Sequence, residues 1–140
     1  MYKIQPHFIK KIFSRNDFLT KLTNAQANAL RKYQDESGMW HTLIDHADSY
    51  VEASATAGFC CGLLFAIRKG YLDESFLPCA TKALQAVMEH IAEDGELLQV
   101  SFGTNVGDTL EHYKKIELKK THFGQALAIM ALVEGEESGL

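Results

Sequence analysis

The sequence predicts an all-α protein with helices in two layers, an outer amphipathic layer and an inner one buried on every side. Three observations predict it. Apolar residues recur at three- and four-residue spacings through 16–33 and again through 73–91. Two other stretches, Tyr50 to Lys69 and Ala126 to Val133, are apolar around nearly the whole helical circumference. No strand pattern alternates with these helices in the way a parallel sheet requires. Surface and buried helices therefore alternate along the chain. That order suits a helical toroid, with short turns at one rim and long functional loops at the other. A plain bundle or a repeat array is the next reading, but a bundle does not explain why alternate helices lack a polar face.

Each element has its own signal. Residues 1–15 show no sustained period. From Asn16 a stripe of Phe18, Leu19, Leu22, Ala25, Ala29, Leu30 and Tyr33 predicts a first helix, ended by the loop signal Asp35-Glu36-Ser37-Gly38. Met39 to Ile44 is a short extended candidate, followed by the polar loop Asp45 to Ser49. The second helix, Tyr50 to Lys69, is rich in small residues (Ala53, Ala55, Ala57, Gly58, Gly62) that allow close neighbours, and Gly70 can supply its left-handed cap. Asp73-Glu74-Ser75 opens the third, with Pro78 tolerated in the first turn and Phe76, Leu77, Ala80, Leu84, Val87, Met88 and Ile91 on its apolar face. A turn at Glu93 to Glu96, a strand at Leu97 to Phe102 and a glycine-bearing loop predict a short β-hairpin-like insertion near 94–104. The last helix starts around Phe123, and the acidic tail from Glu134 to Leu140 is expected to fray. The division is 1–15 as an extension, 16–134 as the helical domain and 135–140 as the tail.

Composition narrows the function classes. A chain of 140 residues that is 46% hydrophobic and 23% charged has the make-up of one globular domain. With 14 basic against 18 acidic residues the net charge is −4, so nothing favours nucleic acid. No apolar run reaches a membrane span, and the first residues lack a signal-peptide pattern, so the expectation is a cytoplasmic protein. Three cysteines make a poor disulfide framework, and adjacent Cys60 and Cys61 read as small buried hydrophobes.

Chemistry concentrates in the two long loops, beside the N-termini of the buried helices, where backbone N–H groups favour anions. Around the first lie Trp40, His41, Asp45, His46, Asp48, Tyr50, Glu52 and Ser54. Around the second lie Asn105, Asp108, Glu111, His112, Tyr113, His122 and Gln125. Aromatic residues interleaved with polar ones suit sugar rings, whose faces stack and whose hydroxyls hydrogen-bond. Trp40 also has the alternative role of a core anchor. His41, Asp45 and His46 lack the stiff spacing of a metal site, and no metal is expected. The loop carboxylates admit a glycosidase pair or simple solvation, and Gly103 and Gly107 do not make a phosphate loop.

Several segments together carry a resemblance. SGMWHTLID at 37–45, DSYVEASATAGF at 48–59, IRKGYLD at 67–73, VSFGTNVGDTLEHY at 100–113 and FGQAL at 123–127 resemble, in order, the C-terminal part of the unsaturated glucuronyl and rhamnogalacturonyl hydrolases, glycoside hydrolase families 88 and 105. The likeness runs from about Phe18 to Glu134. It implies part of an (α/α)6 toroid and a substrate of unsaturated uronyl oligosaccharides, the products of pectin or glycosaminoglycan lyases. In this family an aspartate protonates the C4=C5 double bond and activates water for addition at C5, with no cofactor. That aspartate belongs to an N-terminal part this sequence does not match. The implied reading is a truncated form without turnover, with Trp40, His41, Glu52, Ser54, His122 and Gln125 as wall positions that contact substrate. It also implies self-association or pairing with an N-terminal half. The alternative is a non-catalytic helical module that binds carbohydrate or protein and self-associates.

Overall fold

The computed structural model describes residues 6–140, with side chains from Thr20 onward. Helix α1 spans Pro6–Tyr33, α2 Ala53–Arg68, α3 Leu77–Glu89, α4 Leu110–Lys114 and α5 His122–Glu137. Strands β1 (Trp40–His41) and β2 (Val51–Glu52) pair antiparallel, with Trp40 opposite Glu52 and His41 opposite Val51. Helix α1 begins well before Asn16, and its inward residues are Ala27 and Leu30. Leu22, Ala25 and Ala29 of the expected stripe are exposed. Phe18 and Leu19 lie outside the described side chains.

Helix α2 is the centre of the molecule, packed on α5 and α3. Ala53, Ala57, Cys60, Leu63 and Leu64 bury within it, and the fully apolar sequence explains why. One flank stays open, because Phe65 and Gly62 face outward. The helix starts three residues later than expected, since Glu52 is held extended (φ −122°, ψ 117°) as its N-cap. Gly70 adopts φ +72°, and its N–H returns to the Ile67 carbonyl, ending the helix as its position predicts. Asp73 caps a single 3₁₀ turn, Glu74–Phe76, that leads through Pro78 into α3. Met88 is the one residue of the expected α3 stripe left largely exposed.

The expected hairpin near 94–104 resolves into two separate pairings. A tight turn closes between Ile91 and Leu97, with Ala92 N–H on the Glu96 carbonyl and Gly95 at φ +86°. Residues 100–102 turn away and pair with 117–119 through Lys119 N–H on the Val100 carbonyl and Phe102 N–H on the Glu117 carbonyl.

Helix α5 corrects two expectations. It continues through Glu137, and Glu134 and Gly135 are buried, so the acidic stretch is not a frayed tail. Nor is Ala126 to Val133 buried all round. Its fully covered apolar positions are the small residues Gly124, Ala128, Ala131 and Gly135, with Leu127 and Leu132 half-buried beside them. A Cβ at Gly135 would stand 2.6 Å from Leu84 Cδ2, and one at Gly124 2.9 Å from Val100 Cγ2. The large residues Phe123, Ile129, Met130 and Val133 point outward, each a little over half exposed. Leu63 and Leu64 of α2 are both buried. No helix among the described residues is long and apolar enough to cross a membrane.

Candidate functional site

Two clefts open at the rim where the long loops gather. The first, about 540 Å³, lies between the loop after β1, the N-terminus of α2 and the start of α5; His41, Glu52, Ser54, Ser101, Tyr113 and Phe123 line it. The second, about 550 Å³, lies behind it between the 94–96 turn and the start of α5, lined by Asp94, Glu96, Lys120, His122 and Gln125. The six residues singled out from sequence are thus divided. His41, Glu52 and Ser54 share the first cleft, His122 and Gln125 the second, and Trp40 enters neither.

Trp40 is fully buried. Its indole N–H donates to the Leu30 carbonyl at 2.8 Å, and its ring meets Phe59 edge-on at 5.4 Å. Leu30 sits in the last turn of α1, where carbonyls have no partner within the helix. The indole therefore ties the end of α1 to β1. With no exposed face, it is a core anchor and has nothing to offer a sugar.

Glu52 is buried and saturated. Its Oε2 accepts from Ala55 N–H at 2.5 Å, and its Oε1 accepts from Ser54 Oγ at 2.8 Å and from Ser101 N–H at 3.0 Å. One carboxylate therefore caps α2 and fixes the second long loop against it. It also places negative charge on the positive end of the α2 dipole, which removes the attraction that end would hold for an anion.

His41 braces the first loop. Its Nδ1–H donates to the Ser49 carbonyl at 2.5 Å, and its Nε2 faces Asp35 Oδ2 at 3.3 Å. Asp35 was not foreseen as a partner. The Ser37 backbone N–H, then the Ser37 hydroxyl and His41, hold its carboxyl down at about 2. Two more ties cross between the loops. Tyr50 Oη meets Ser101 Oγ at 2.8 Å, and Lys114 Nζ bonds Asp48 at 2.5 Å and Glu111 at 3.0 Å. Lys114 holds the Asp48 carboxyl below its usual range, and Asp48 and Glu111 raise Lys114.

Gln125 is also structural. Its Oε1 accepts from Leu97 N–H at 3.1 Å and its Nε2 donates to the Gly95 carbonyl at 2.9 Å, pinning the 91–97 turn to α5. His122 is exposed beside Lys120, which pairs with Glu96 at 2.7 Å. Among the described residues no three His, Cys, Asp or Glu side chains converge on a point where a metal ion would sit. Burial pushes the Cys60 thiol up to about 12, so it packs as an apolar group. Of the other residues lining the first cleft, both His41 ring nitrogens, the Ser54 hydroxyl and the Tyr113 hydroxyl, which bonds the Gly107 backbone, already have partners, so Thr104 and the half-exposed Phe123 ring are its most open groups. Sequence reasoning overlooked Phe123 as a stacking surface because it sits at the head of an apolar run.

The fold and these segments have clear relatives. The profile described as Glycosyl Hydrolase Family 88 matches residues 8–138. The chain belongs to glycosyl hydrolase family 88. This family 88 chain is 39% identical over 110 residues to the unsaturated rhamnogalacturonyl hydrolase YesR of Bacillus subtilis, covering 78% of this chain and 30% of that protein. Solved structures show the same fold. A possible GH105 family member from Salmonella enterica serovar Paratyphi A superposes with a TM-score of 0.85 at 47% identity, over 88% of this chain and 32% of the other. A family 105 glycoside hydrolase from C. acetobutylicum superposes with a TM-score of 0.80 at 25% identity, over 91% and 40%. The family 88 chain thus spans about a third of the length of these relatives, and its helices form part of an (α/α)6 toroid.

Proposed function

We propose that this chain forms the binding wall of a glycosidase acting on unsaturated uronyl oligosaccharides, products of pectin or glycosaminoglycan lyases, by hydration of the C4=C5 double bond. Kinship with the rhamnogalacturonyl hydrolase supports the substrate class. The chemistry of the first cleft supports the division of labour. Phe123 offers an apolar face for a sugar ring, and His41, Ser54, Thr104 and Tyr113 surround it with hydroxyl and imidazole groups.

One observation limits what the wall does alone. Every carboxylate lining the two clefts already has partners: Glu52 has three donors, Glu96 has Lys120, and Asp94 accepts the Glu96 N–H. A general acid for the double bond needs a carboxyl free to hold and release a proton toward substrate. The 140 residues therefore bind the sugar without hydrating it, which also favours the non-catalytic binding module as the second reading. The test pairs two measurements on the purified chain with an unsaturated uronyl disaccharide. Loss of the ultraviolet absorbance of the double bond reports turnover, and amide shift changes report binding. Shifts at His41, Ser54 and Phe123 without loss of absorbance are expected. Steady turnover overturns the division of labour, and absence of shifts at saturating sugar overturns the substrate class.

A further inference from the structure

We propose that residues 103–116 form a hinged flap over the first cleft, and that the Lys114–Asp48 ion pair is the latch that holds it shut. The flap's role rests on the reading of that cleft as the sugar site, whereas its motion is measured without sugar.

The segment is built as a unit. Its two ends are held together where Phe102 N–H donates to the Glu117 carbonyl and Lys119 N–H to the Val100 carbonyl. Between them the chain packs on itself. Tyr113 Oη accepts from Gly107 N–H at 3.1 Å and donates to the Gly107 carbonyl at 3.3 Å. His112 Nε2–H donates to the Asn105 carbonyl at 3.2 Å, and the His112 ring meets that of Tyr113 edge-on at 5.2 Å. A Cβ at Gly107 would collide with the His112 ring, so glycine lets the segment close this tightly. Joined ends and internal side-chain packing are the marks of an Ω-loop, which can swing on its base without unfolding.

Its tie to the rest of the molecule is slight. None of the residues from 103 to 116 is buried. Among the described residues, one hydrogen bond leaves the segment, from Lys114 Nζ to Asp48 Oδ2 at 2.5 Å. Asp48 belongs to the first long loop, which lines the cleft with Thr42, Leu43 and Ile44; the flap lines the same cleft with Gly103, Thr104 and Tyr113. The ion pair therefore joins two walls of one cleft. Glu111 shares the Lys114 ammonium at 3.0 Å, so a Lys114 that releases Asp48 keeps a partner within the flap. The Asp48 carboxylate is largely exposed, which makes the pair weak and open to screening by salt. At the base Gly103 takes φ +73°, and nothing lies within 4 Å of where its Cβ would be, so one pivot has room to turn.

Amide relaxation dispersion on the sugar-free chain tests this. Amides from 103 to 116 should share one opening rate, while those of 100–102 and 117–119 stay still. Asp48→Asn should raise the open population about two- to five-fold, the weight of one part-exposed ion pair, and Lys114→Met likewise. In both variants, and with added salt, the flap's peaks should move along one common line. Asp48→Glu keeps a carboxylate and should hold the flap shut. Unchanged circular dichroism of Asp48→Asn guards against reading a folding defect as opening. Saturating unsaturated uronyl disaccharide should then slow the common opening rate. Rates that scatter from residue to residue, peak shifts confined to the neighbours of the substituted side chain, or an open population unmoved by Asp48→Asn each overturn the proposal. So does a sugar that shifts the amides of the first cleft and leaves the opening rate unchanged. A common rate in a chain that binds no sugar upholds the latched flap and overturns only the reading of the cleft.

Discussion

Glu52→Ala separates a structural carboxylate from a substrate contact. In the folded chain this carboxylate accepts Ala55 N–H, Ser54 Oγ–H and Ser101 N–H while buried at 5% exposure. Removing it deletes the α2 cap, worth about 1 kcal/mol. It also leaves the buried Ser101 N–H without an acceptor, which costs about 1–2 kcal/mol. The Ser54 hydroxyl can rotate toward another acceptor, so it adds little. The expected loss is about 2–3 kcal/mol, or about 10 °C in melting temperature for a domain of this size. Urea unfolding followed by circular dichroism reads it as a lower midpoint with an unchanged slope. Two companions divide the loss. Glu52→Asp keeps a good capping group but falls one methylene short of Ser101 N–H, so it should recover only the capping part. Glu52→Gln carries one acceptor oxygen where two backbone donors approach opposite oxygens, so it should fall between Ala and wild type. A Glu52→Ala chain within about 0.5 kcal/mol of wild type, the usual spread for surface changes, would refute the assignment.

Other outcomes follow from the same contacts. Gly38 adopts φ +90°, and a Cβ there would stand 2.6 Å from the Lys82 carbonyl oxygen; Gly38→Ala should cost about 2 kcal/mol in a thermal melt. Arg68 holds Glu134 through two bonds of 2.6 and 3.0 Å between α2 and α5 and depresses the carboxyl's pKa. Since the folded pKa lies below the unfolded one, this stabilisation is present above the usual carboxylate range and lost as pH falls through the folded value. Stability should drop as pH is lowered from neutral into the acid range, and Glu134→Gln should flatten that part of the profile measured by urea midpoints. Asp35 should titrate at about 2 by carboxyl NMR, and Ser37→Ala should move that midpoint upward by removing the hydroxyl bond. Phe123→Ala should weaken sugar binding several-fold in NMR titrations without lowering the melting temperature, because its ring is half exposed in the cleft.

What could be read from the sequence depended on whether the deciding partner was local. The buried character of α2 and the Gly70 cap were legible because periodicity and a glycine after basic residues are properties of one short window. The double role of Glu52 was not legible. Glutamate is not among the preferred capping residues, and half of its work is done by Ser101, 49 positions away. Trp40 failed as a sugar platform for a similar reason. A tryptophan beside a polar loop looks like a stacking surface until the carbonyl of Leu30, ten residues back in the last turn of α1, claims its N–H. The same fact makes the cleft coherent. The polar residues nominated from sequence, Glu52, His41, Ser54 and Gln125, fix the loops, and the half-exposed Phe123 ring is left facing the cleft.

The α5 error has a different origin and a consequence. A run of eight apolar residues states that a helix wants cover on all sides, but it does not state which chain provides the cover. Within this chain the fully covered apolar positions are glycines and alanines, with Leu127 and Leu132 half-buried beside them, because at Gly124 and Gly135 only a glycine permits the close approach to Val100 and Leu84. Had the large residues faced inward, Ile129 or Met130 would have held α5 off α2 and broken the Arg68–Glu134 pair. Close packing therefore forces the bulky apolar side outward, and exposure of that side is the direct result of how tightly the other side fits.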